Sequence, residues 1–372
     1  MLAFCPRKPW IGGDLQTLRD SLRPLRLPLD HGHPLLFDLT GGDQLLGLLD
    51  QPLHQGLDQP LDQLLSSPAD PAPGIGQQAK ALVVLLHGLG GGSDRRGVRR
   101  LALNLQRSGF AVLRLNLRGA GPGRPWARGT YAASCNRDLL ALWPQLRSLA
   151  AGRPLLAVGL SLGGTILLNA LLADGDARRK AGLHSGVALL DALVCVSSPL
   201  DLVASSRQIG RRRNRVYERW LLRRLRRDTQ ADPAGLTLDE QLALQRVRSI
   251  RAFDAAITAP RWGHASVDDY YRAATLLPRL LELVSDRPAA SGGGRQPELP
   301  PTLLLHALDD PWVPAAAAVQ LAQAVAAVPE TTLQVRLTPT GGHNGFHGAG
   351  DGPLCSWSDA LVLRWLIAQL GS

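Results

Sequence analysis

A Gly-x-Ser-x-Gly pentapeptide at Gly159–Gly163 places Ser161 in a setting that can make a serine hydroxyl reactive. A short apolar run, Leu155–Gly159, precedes the serine, and an apolar segment of helical length, Leu162–Ala173, follows it. On a sharp turn between a buried strand and a helix, glycines relieve the strain and the serine hydroxyl projects above the sheet. The amino-terminal end of the helix favours the negative charge that develops during attack on a carbonyl. We therefore predict that Ser161 is the nucleophile of an acyl-transfer reaction.

A serine hydroxyl needs a base to take its proton, and His343 is the candidate for that role. It lies in Gly341–Phe346, a glycine-rich loop that follows the apolar run Leu333–Leu337. Enzymes with a nucleophile on such a strand-to-helix turn carry their residues in the chain order serine, acid, histidine, and His343 fits that order. The other eight histidines lie where surface, helical or strand-end positions are expected.

An aspartate that follows a late strand completes the constellation, and two adjacent aspartates compete for the role. Asp309 and Asp310 follow the apolar run Thr302–His306. A carboxylate there accepts the proton of the second imidazole nitrogen, which fixes the tautomer and stabilises the imidazolium. We favour Asp310 because the sequence Asp-Pro-Trp-Val-Pro places it where the acid of such a triad usually stands. Asp309 remains the alternative, and it also suits a capping or turn position.

Acyl transfer also needs two hydrogen-bond donors for the oxyanion of the tetrahedral intermediate. The backbone N–H of Leu162, directly after the predicted nucleophile, is the first candidate. The second is the backbone N–H of Leu89 in the glycine-rich loop His87–Gly91, where the His87 ring either pins the loop or is purely structural. The loop matches neither a dinucleotide-binding fingerprint nor a phosphate-binding P-loop, so a nucleotide site is poorly supported.

Short apolar runs alternate with helix-length segments through most of the chain, and these elements must position the candidate residues. The runs lack the polar alternation of half-exposed strands, so they predict a parallel α/β sheet covered by helices on both faces. The predicted strands are Ala81–Leu86, Ala111–Leu115, Leu155–Gly159, Leu193–Ser197, Thr302–His306 and Leu333–Leu337. The predicted helices are Arg95–Ser108, Tyr131–Leu149, Leu162–Ala173, Ala315–Val328 and Trp357–Leu370. Pro34–Leu39 and Asp43–Leu48 predict a β-hairpin at an antiparallel edge.

The alternation stops in residues 203–285, where the pattern is helical and rich in arginine. Because this segment lies between two predicted core strands, we expect a helical cap inserted into the sheet domain. Residues 1–202 and 286–372 then form the core, with residues 1–33 as an amino-terminal arm. Two segments rich in proline, glycine or polar residues, Gln51–Gly76 and Ser285–Pro297, are predicted to be surface excursions.

The formal net charge of +10 is concentrated in one segment of the chain. Between Arg207 and Arg227 there are ten arginines and a single acid, Glu218, so this segment alone carries a net charge of +9. Tyr217 and Trp220 are its only aromatic residues and no nucleic-acid-binding module is present, so we expect no nucleic-acid partner. The stripe favours either a solvated basic helix or a weak contact with an anionic membrane surface or an acidic head group.

The four cysteines, Cys5, Cys135, Cys195 and Cys355, lack the spacing of a metal or redox site. No apolar stretch reaches the ~18 residues of a membrane-spanning helix, and the first residues lack the apolar region of a secretory signal. We therefore expect a cytoplasmic protein, or one peripheral to a membrane. We expect neither a metal nor an organic cofactor.

These motifs together resemble the YheT-type branch of the α/β-hydrolase superfamily, also called the AB hydrolase 4 family. The resemblance spans nearly the whole chain. Its segments are Pro9-Trp10 with Leu15–Leu18, His87–Gly91, Asn116–Gly121, Val158–Gly164, Ser249–Asp254, Asp268–Arg272, Asp309–Pro314 and Gly341–Phe346. Asp14 stands where the family usually has a histidine.

The resemblance implies an α/β-hydrolase fold, a mostly parallel central sheet flanked by helices with an inserted helical cap. It implies a triad of Ser161, Asp310 and His343 that hydrolyses carboxylic esters through an acyl-enzyme, without a cofactor. The substrates that it suggests are small-molecule esters with medium-chain or lipid-derived acyl groups. A thioesterase or an acyltransferase on the same triad is the alternative, and a non-catalytic binding protein on this scaffold is a further one.

Overall fold

The structure is a computed structural model that describes residues 3–53, 75–76, 78–183, 188–285, 299–328 and 331–371 of the 372-residue chain. The predicted surface excursions at Gln51–Gly76 and Ser285–Pro297 therefore lie almost wholly outside the described residues.

The described part of the chain contains an eight-stranded sheet in the order β1-β2-β4-β3-β5-β6-β7-β8. The strands are β1 (His33–Asp38), β2 (Gln44–Asp50), β3 (Leu82–Leu86), β4 (Ala111–Leu115), β5 (Leu155–Leu160), β6 (Ala192–Val196), β7 (Thr302–Ala307) and β8 (Leu333–Thr338). Strand β2 is antiparallel to both of its neighbours, and the strands from β4 to β8 pair in parallel. The predicted mostly parallel sheet with a hairpin at one edge is confirmed.

Helices connect and cover the strands. Those of the sheet domain are α1 (Gly13–Leu22), α2 (Arg96–Arg107), α3 (Asn136–Ala150), α4 (Leu162–Leu171), α5 (Gly175–Lys180), α13 (Ala316–Ala326) and α14 (Trp357–Gln369). Between β6 and β7 come α6 (Leu202–Ile209), α7 (Arg215–Gln230), α8 (Leu238–Arg246), α9 (Ile250–Phe253), α10 (Ala259–Arg261), α11 (Val267–Ala274) and α12 (Leu277–Ser285). Among the described residues, no helix is both long and apolar enough to cross a membrane.

The central strands are buried on both faces because successive side chains point to opposite sides of the sheet. In β3, Val83 and Leu85 pack with the apolar faces of α2 and α14. Their neighbours Leu82, Val84 and Leu86 pack on the other face, with side chains of α3 and α4. Burial on both faces explains why this strand is an unbroken apolar run in the sequence.

The carboxyl ends of β3, β5, β7 and β8 meet at one edge of the sheet because these strands are parallel. The residues that follow each strand therefore converge there. They are the His87–Gly91 loop, Ser161, Asp310 and the loop that carries His343.

Residues 203–285, which we call the cap, cover this edge as a helical insertion. The cap has a small apolar core of its own, which includes Tyr217, Leu221 and Phe253. Leu89 and Trp312, from two loops of the sheet domain, pack against that core. The cap thus lies directly over the convergence of loops.

Candidate active site

Ser161 lies on a sharp turn between β5 and α4, with backbone angles of φ 53° and ψ −125°. A non-glycine residue with positive φ is strained, as expected of a serine on such an elbow. The turn is possible because its neighbours are glycines. A Cβ at Gly159 would lie 2.3 Å from the backbone of Gly164, and one at Gly163 would lie 2.7 Å from the carbonyl oxygen of His87.

The structure brings Ser161, His343 and Asp310 together by direct hydrogen bonds. His343 Nε2 lies 2.8 Å from Ser161 Oγ, and His343 Nδ1 lies 2.8 Å from Asp310 Oδ2. An ionised carboxylate only accepts hydrogen bonds, so Nδ1 carries the imidazole proton and Nε2 is free to accept the serine proton. All three residues are buried. This arrangement has the geometry that activates a serine hydroxyl.

Asp310 is held as a carboxylate by its surroundings. Burial would raise the pKa of this carboxyl, but the charge and hydrogen bond of His343 outweigh it and hold the pKa below its ordinary value. The other oxygen, Oδ1, accepts the backbone N–H groups of Trp312 at 2.8 Å and Val313 at 3.0 Å. The carboxylate is therefore fixed in orientation as well as in charge.

Asp309, the alternative acid, points elsewhere. Its Oδ1 accepts the backbone N–H of Gly342 at 2.9 Å, in the turn that leads into His343. Burial raises the pKa of Asp309. The structure therefore places Asp310 against the imidazole and Asp309 against the backbone of the histidine loop.

His343 is enclosed by two groups that the sequence analysis did not single out. The Trp312 ring stacks on the imidazole, with centroids 4.5 Å apart and an interplanar angle of 26°. Thr17 Oγ1, in helix α1 of the arm, accepts the backbone N–H of His343 at 2.8 Å. In the sequence, Thr17 belongs to the segment Leu15–Leu18 of the family resemblance, and Trp312 lies between Asp310 and Val313 without a motif that gives it a role. The spacing of residues along the chain held no signal for either contact.

The two predicted oxyanion donors, Leu89 and Leu162, line the same cavity as Ser161. Leu162 is the first residue of α4, so its N–H has no acceptor within the helix. Gly88 allows the His87–Gly91 loop to lie close to the nucleophile, because a Cβ at Gly88 would be only 2.8 Å from Ser161 Cβ. The backbone of both segments is thus positioned beside the serine.

His87 pins this loop through both ring nitrogens. Its Nε2 accepts the backbone N–H of Leu117 at 3.2 Å, so Nδ1 carries the proton and donates to the carbonyl oxygen of Gly88 at 2.8 Å. Burial lowers the pKa of His87 to about 4, which keeps the ring neutral and able to accept. Tyr131 holds the next part of the loop, since its hydroxyl accepts the Gly90 N–H at 2.7 Å.

Ser161 and His343 open into a cavity of about 110 Å³ between the sheet edge and the cap. Most of its wall is apolar, with Leu202 and Ile209 from α6, Leu221 from α7 and Phe253 from α9 among the contributors. Within the described residues, no group of three or more His, Cys, Asp or Glu side chains is arranged to hold a metal ion.

The family described as the alpha/beta hydrolase fold matches residues 81–349, a span that contains all three residues of the hydrogen-bonded chain. This chain belongs to the α/β-hydrolase family.

Individual relatives of this α/β-hydrolase agree with the assignment. The Escherichia coli protein YheT is 29% identical over 299 residues, which cover 79% of this chain and 78% of YheT. The resemblance to the YheT-type branch is thus confirmed. The medium-chain fatty acid ethyl ester synthase/esterase 2 of Saccharomyces cerevisiae is 28% identical over 257 residues, which cover 62% of this chain and 51% of that protein. This α/β-hydrolase therefore spans about half the length of its yeast relative.

A solved structure shows the same fold. A soluble variant of monoglyceride lipase from Saccharomyces cerevisiae, in complex with a substrate analog, superimposes with a TM-score of 0.54 and 13% sequence identity. The match covers 93% of this chain and 98% of that chain. The predicted α/β-hydrolase fold is confirmed.

Proposed function

We propose that this α/β-hydrolase is a serine carboxylester hydrolase with Ser161, His343 and Asp310 as its catalytic triad. The observation that carries the proposal is the unbroken pair of 2.8 Å contacts from Ser161 Oγ to His343 and from His343 to Asp310. The adjoining cavity is mostly apolar, which suits medium-chain or lipid-derived acyl groups. The name of the yeast relative, which refers to medium-chain fatty acid ethyl esters, agrees with this class of substrate.

In the first half-reaction, Ser161 Oγ bonds to the ester carbonyl carbon while His343 Nε2 takes its proton. The π electrons of the carbonyl move onto its oxygen, and the N–H groups of Leu89 and Leu162 stabilise that oxyanion. Asp310 stabilises the imidazolium. When the carbonyl re-forms, the bond to the alcohol oxygen breaks and the imidazolium gives its proton to the departing alcohol. An acyl ester of Ser161 remains.

The second half-reaction repeats these steps with water. His343 Nε2 takes a proton from a water molecule whose oxygen attacks the acyl carbon. Collapse of the second oxyanion breaks the bond to Ser161 Oγ, and the imidazolium returns its proton to the serine. The carboxylic acid then leaves. The cap, residues 203–285 in our assignment, shapes the acyl-binding side of the cavity and shields the intermediate from bulk water.

A fluorophosphonate probe tests the nucleophile directly. We expect the wild-type protein to be labelled and the Ser161→Ala variant to remain unlabelled. Ser148→Ala, which removes an exposed serine of α3, serves as the matched control and should be labelled like the wild type. Ethyl esters of increasing acyl length then define the substrate, with highest kcat/KM expected at medium length. Equal labelling of Ser161→Ala and the wild type would contradict the proposal.

A second candidate function, transfer of the acyl group to an alcohol or a thiol, uses the same intermediate. The observation that favours it is the double name of the yeast relative, which is a synthase as well as an esterase. Incubation with an ester and a second alcohol, followed by mass spectrometry, separates the two functions. A new ester as the main product supports transfer, whereas free acid as the main product supports hydrolysis. Acyl-coenzyme A assayed beside the matching ethyl ester shows whether thioesters are preferred.

We also propose a contact between the cap and an anionic membrane surface. Five exposed arginines, the basic face, lie in and just before α7 and join no ion pair within the described residues: Arg211, Arg212, Arg215, Arg219 and Arg223. Val216 and Trp220 stand among them with 76% and 43% of their surface exposed. Cations beside exposed apolar side chains are typical of a helix that binds anionic lipid.

The four cysteines are free thiols, which agrees with a cytoplasmic location.

Vesicle sedimentation tests this contact. We expect the wild type to bind phosphatidylglycerol vesicles more strongly than phosphatidylcholine vesicles, and Arg212→Glu/Arg215→Glu/Arg219→Glu to lose that preference. A matched triple variant of exposed arginines outside the cap, Arg23→Glu/Arg96→Glu/Arg364→Glu, should retain it. Equal binding by the two triple variants would show that the basic face is an ordinary solvated surface.

A further inference from the structure

Four polar side chains form a connected network in the cavity wall that the proposed mechanism does not use. Asp254, at the start of a π-helical turn (Asp254–Thr258), accepts hydrogen bonds from Thr258 Oγ1 at 2.7 Å and from the Tyr271 hydroxyl at 2.8 Å. Ser206 Oγ donates to the Tyr271 hydroxyl at 3.2 Å. All four residues line the same cavity as Ser161. π-Helical turns inside α-helices are frequent at functional sites, so this one merits a functional explanation.

Within the part of the chain that the structure describes, Asp254 is a cavity carboxylate without a counter-ion. The other carboxylate of the cavity wall, Asp228, pairs with Arg227, whereas Asp254 pairs with no cation within the described residues. Arg251, three residues before Asp254, forms its ion pair with Asp268 instead, and its guanidinium lies 5.8 Å from the centroid of the Tyr271 ring. Burial raises the pKa of Asp254 to about 6, so the group is mainly ionised at neutral pH. A carboxylate offers about four acceptor positions, and the two protein hydrogen bonds leave some of them for a ligand.

The network and the reacting centre share one cavity wall. Tyr131, Asp254, Ser161 and Leu89 all line it. The Tyr131 hydroxyl in turn accepts the N–H of Gly90, the residue after the proposed oxyanion donor Leu89. A substrate bound to Ser161 therefore occupies a cavity that Asp254 also faces.

We infer that Asp254 is a specificity-determining residue that accepts a hydrogen bond from a hydroxyl group of the ester substrate. The inference rests on the proposed function, because the ester must also react at Ser161. A hydroxyl suits the site because Asp254 already accepts the hydroxyls of Thr258 and Tyr271, and a further O–H donor extends that network without bringing a second charge into the cavity. The hydroxyl can belong to the acyl chain or to the alcohol, and matched substrates distinguish these sources.

Three esters of equal acyl length form the test: ethyl octanoate, its ω-hydroxy analogue, and the octanoate monoester of ethylene glycol. We expect the wild type to use one hydroxylated ester at least about tenfold more efficiently, by kcat/KM, than ethyl octanoate, since a hydrogen bond to a charged group has about this effect. The better of the two identifies the source of the hydroxyl. Asp254→Asn should lower that preference about tenfold. Asp239→Asn, which removes an exposed acid of helix α8 in the same cap, should leave it unchanged.

Binding to the Ser161→Ala variant separates this inference from the proposed function. Calorimetry on that variant measures the preference for a hydroxylated ester without any turnover, and the Asp254→Asn/Ser161→Ala double variant should lose the preference. If hydrolysis is absent but the binding preference is present, the proposed function is wrong and the hydroxyl site stands. The inference would be overturned if the wild type hydrolysed all three esters equally well and Ser161→Ala bound all three equally tightly. It would also be overturned if the preference for a hydroxylated ester survived Asp254→Asn.

Discussion

Thr17 Oγ1 accepts the backbone N–H of His343 at 2.8 Å, which joins two residues that are 326 positions apart. Its neighbour Gln16 is fully buried and forms a reciprocal pair with His347, donating to its carbonyl oxygen at 3.0 Å and accepting its N–H at 2.6 Å. A Cβ at Gly342 would lie 2.3 Å from the carbonyl oxygen of Gly13, so the loop and helix α1 are in close contact. The arm therefore holds the loop that carries the proposed catalytic base.

Replacement of Thr17 by valine tests this positioning role. The change keeps the shape of the side chain but leaves the His343 N–H without its acceptor, so the imidazole is held less precisely. We expect kcat for ethyl octanoate to fall about tenfold with little change in KM, because misplaced catalytic groups mainly impair the chemical step. Thr17→Ser keeps a hydroxyl oxygen at this position and should therefore retain the kcat of the wild type. Thr332→Val is the control, since Thr332 directly precedes β8, at the end of the strand away from the site, and this variant should behave like the wild type. An equal loss of kcat in Thr332→Val would mean that the effect is general destabilisation.

Asn substitutions at the two adjacent aspartates distinguish their roles. Asp310→Asn leaves an amide beside His343 Nδ1 and removes the charge that stabilises the imidazolium, so we expect kcat to fall by about three to four orders of magnitude. Asp309→Asn retains an oxygen that can accept the Gly342 N–H, and we expect a loss of less than about tenfold. Steady-state kinetics at neutral pH measure both variants. A larger loss at Asp309 would reverse the assignment.

The buried ring of His87 predicts a loss of stability on acidification. Burial lowers the pKa of His87 from its ordinary 6.5 to about 4. Between these values the unfolded chain binds a proton that the folded protein does not, so the free energy of unfolding falls as the pH drops from 6.5 towards 4. The expected contribution is on the order of 1 to 3 kcal/mol. Urea unfolding at several pH values should show a weaker acid dependence in His87→Gln, whose amide oxygen can still accept the Leu117 N–H.

His33→Gln, at an exposed position of β1, is the matched control for this measurement. It should retain the acid dependence of the wild type. If the free energy of unfolding of His87→Gln fell with pH as steeply as that of the wild type, other groups would be the cause of the acid sensitivity.

The elbow glycine Gly159 should tolerate no side chain. Its Cβ would lie 2.3 Å from the backbone of Gly164, a clash that only movement of the elbow could relieve. We expect Gly159→Ala to lower the free energy of unfolding by about 3 kcal/mol or more, or to prevent folding. Gly97→Ala, in α2 with open space around its Cβ, should instead be neutral or stabilising by up to about 1 kcal/mol. Equal urea midpoints for the two variants would contradict the steric explanation.

The sequence was sufficient to predict most strands and helices because the patterns that mark them are local. β3 and β5 are apolar runs since both sheet faces are covered, and the elbow glycines mark the turn at Ser161 directly. One local prediction was wrong at its start. The helix expected at Tyr131–Leu149 begins at Asn136, because the Tyr131 hydroxyl holds the Gly90 N–H and the N–H of Ala133 donates to the Tyr270 hydroxyl of the cap. These tertiary hydrogen bonds replace the first helical turn.

By itself, the amino-acid sequence determined the strands of the parallel sheet and the elbow at Ser161, since each depends on neighbours within a few positions. The chain order of the candidate residues can be read from it directly. Only the tertiary structure decided that Asp310 rather than Asp309 meets the imidazole, that Thr17 holds the histidine loop, and that Asp254 faces the cavity. The physical reason is that hydrogen bonds between distant segments depend on how the elements pack. Residue spacing reflects which side chains share one face of a helix or strand, and it carries no direct measure of the contacts between these elements.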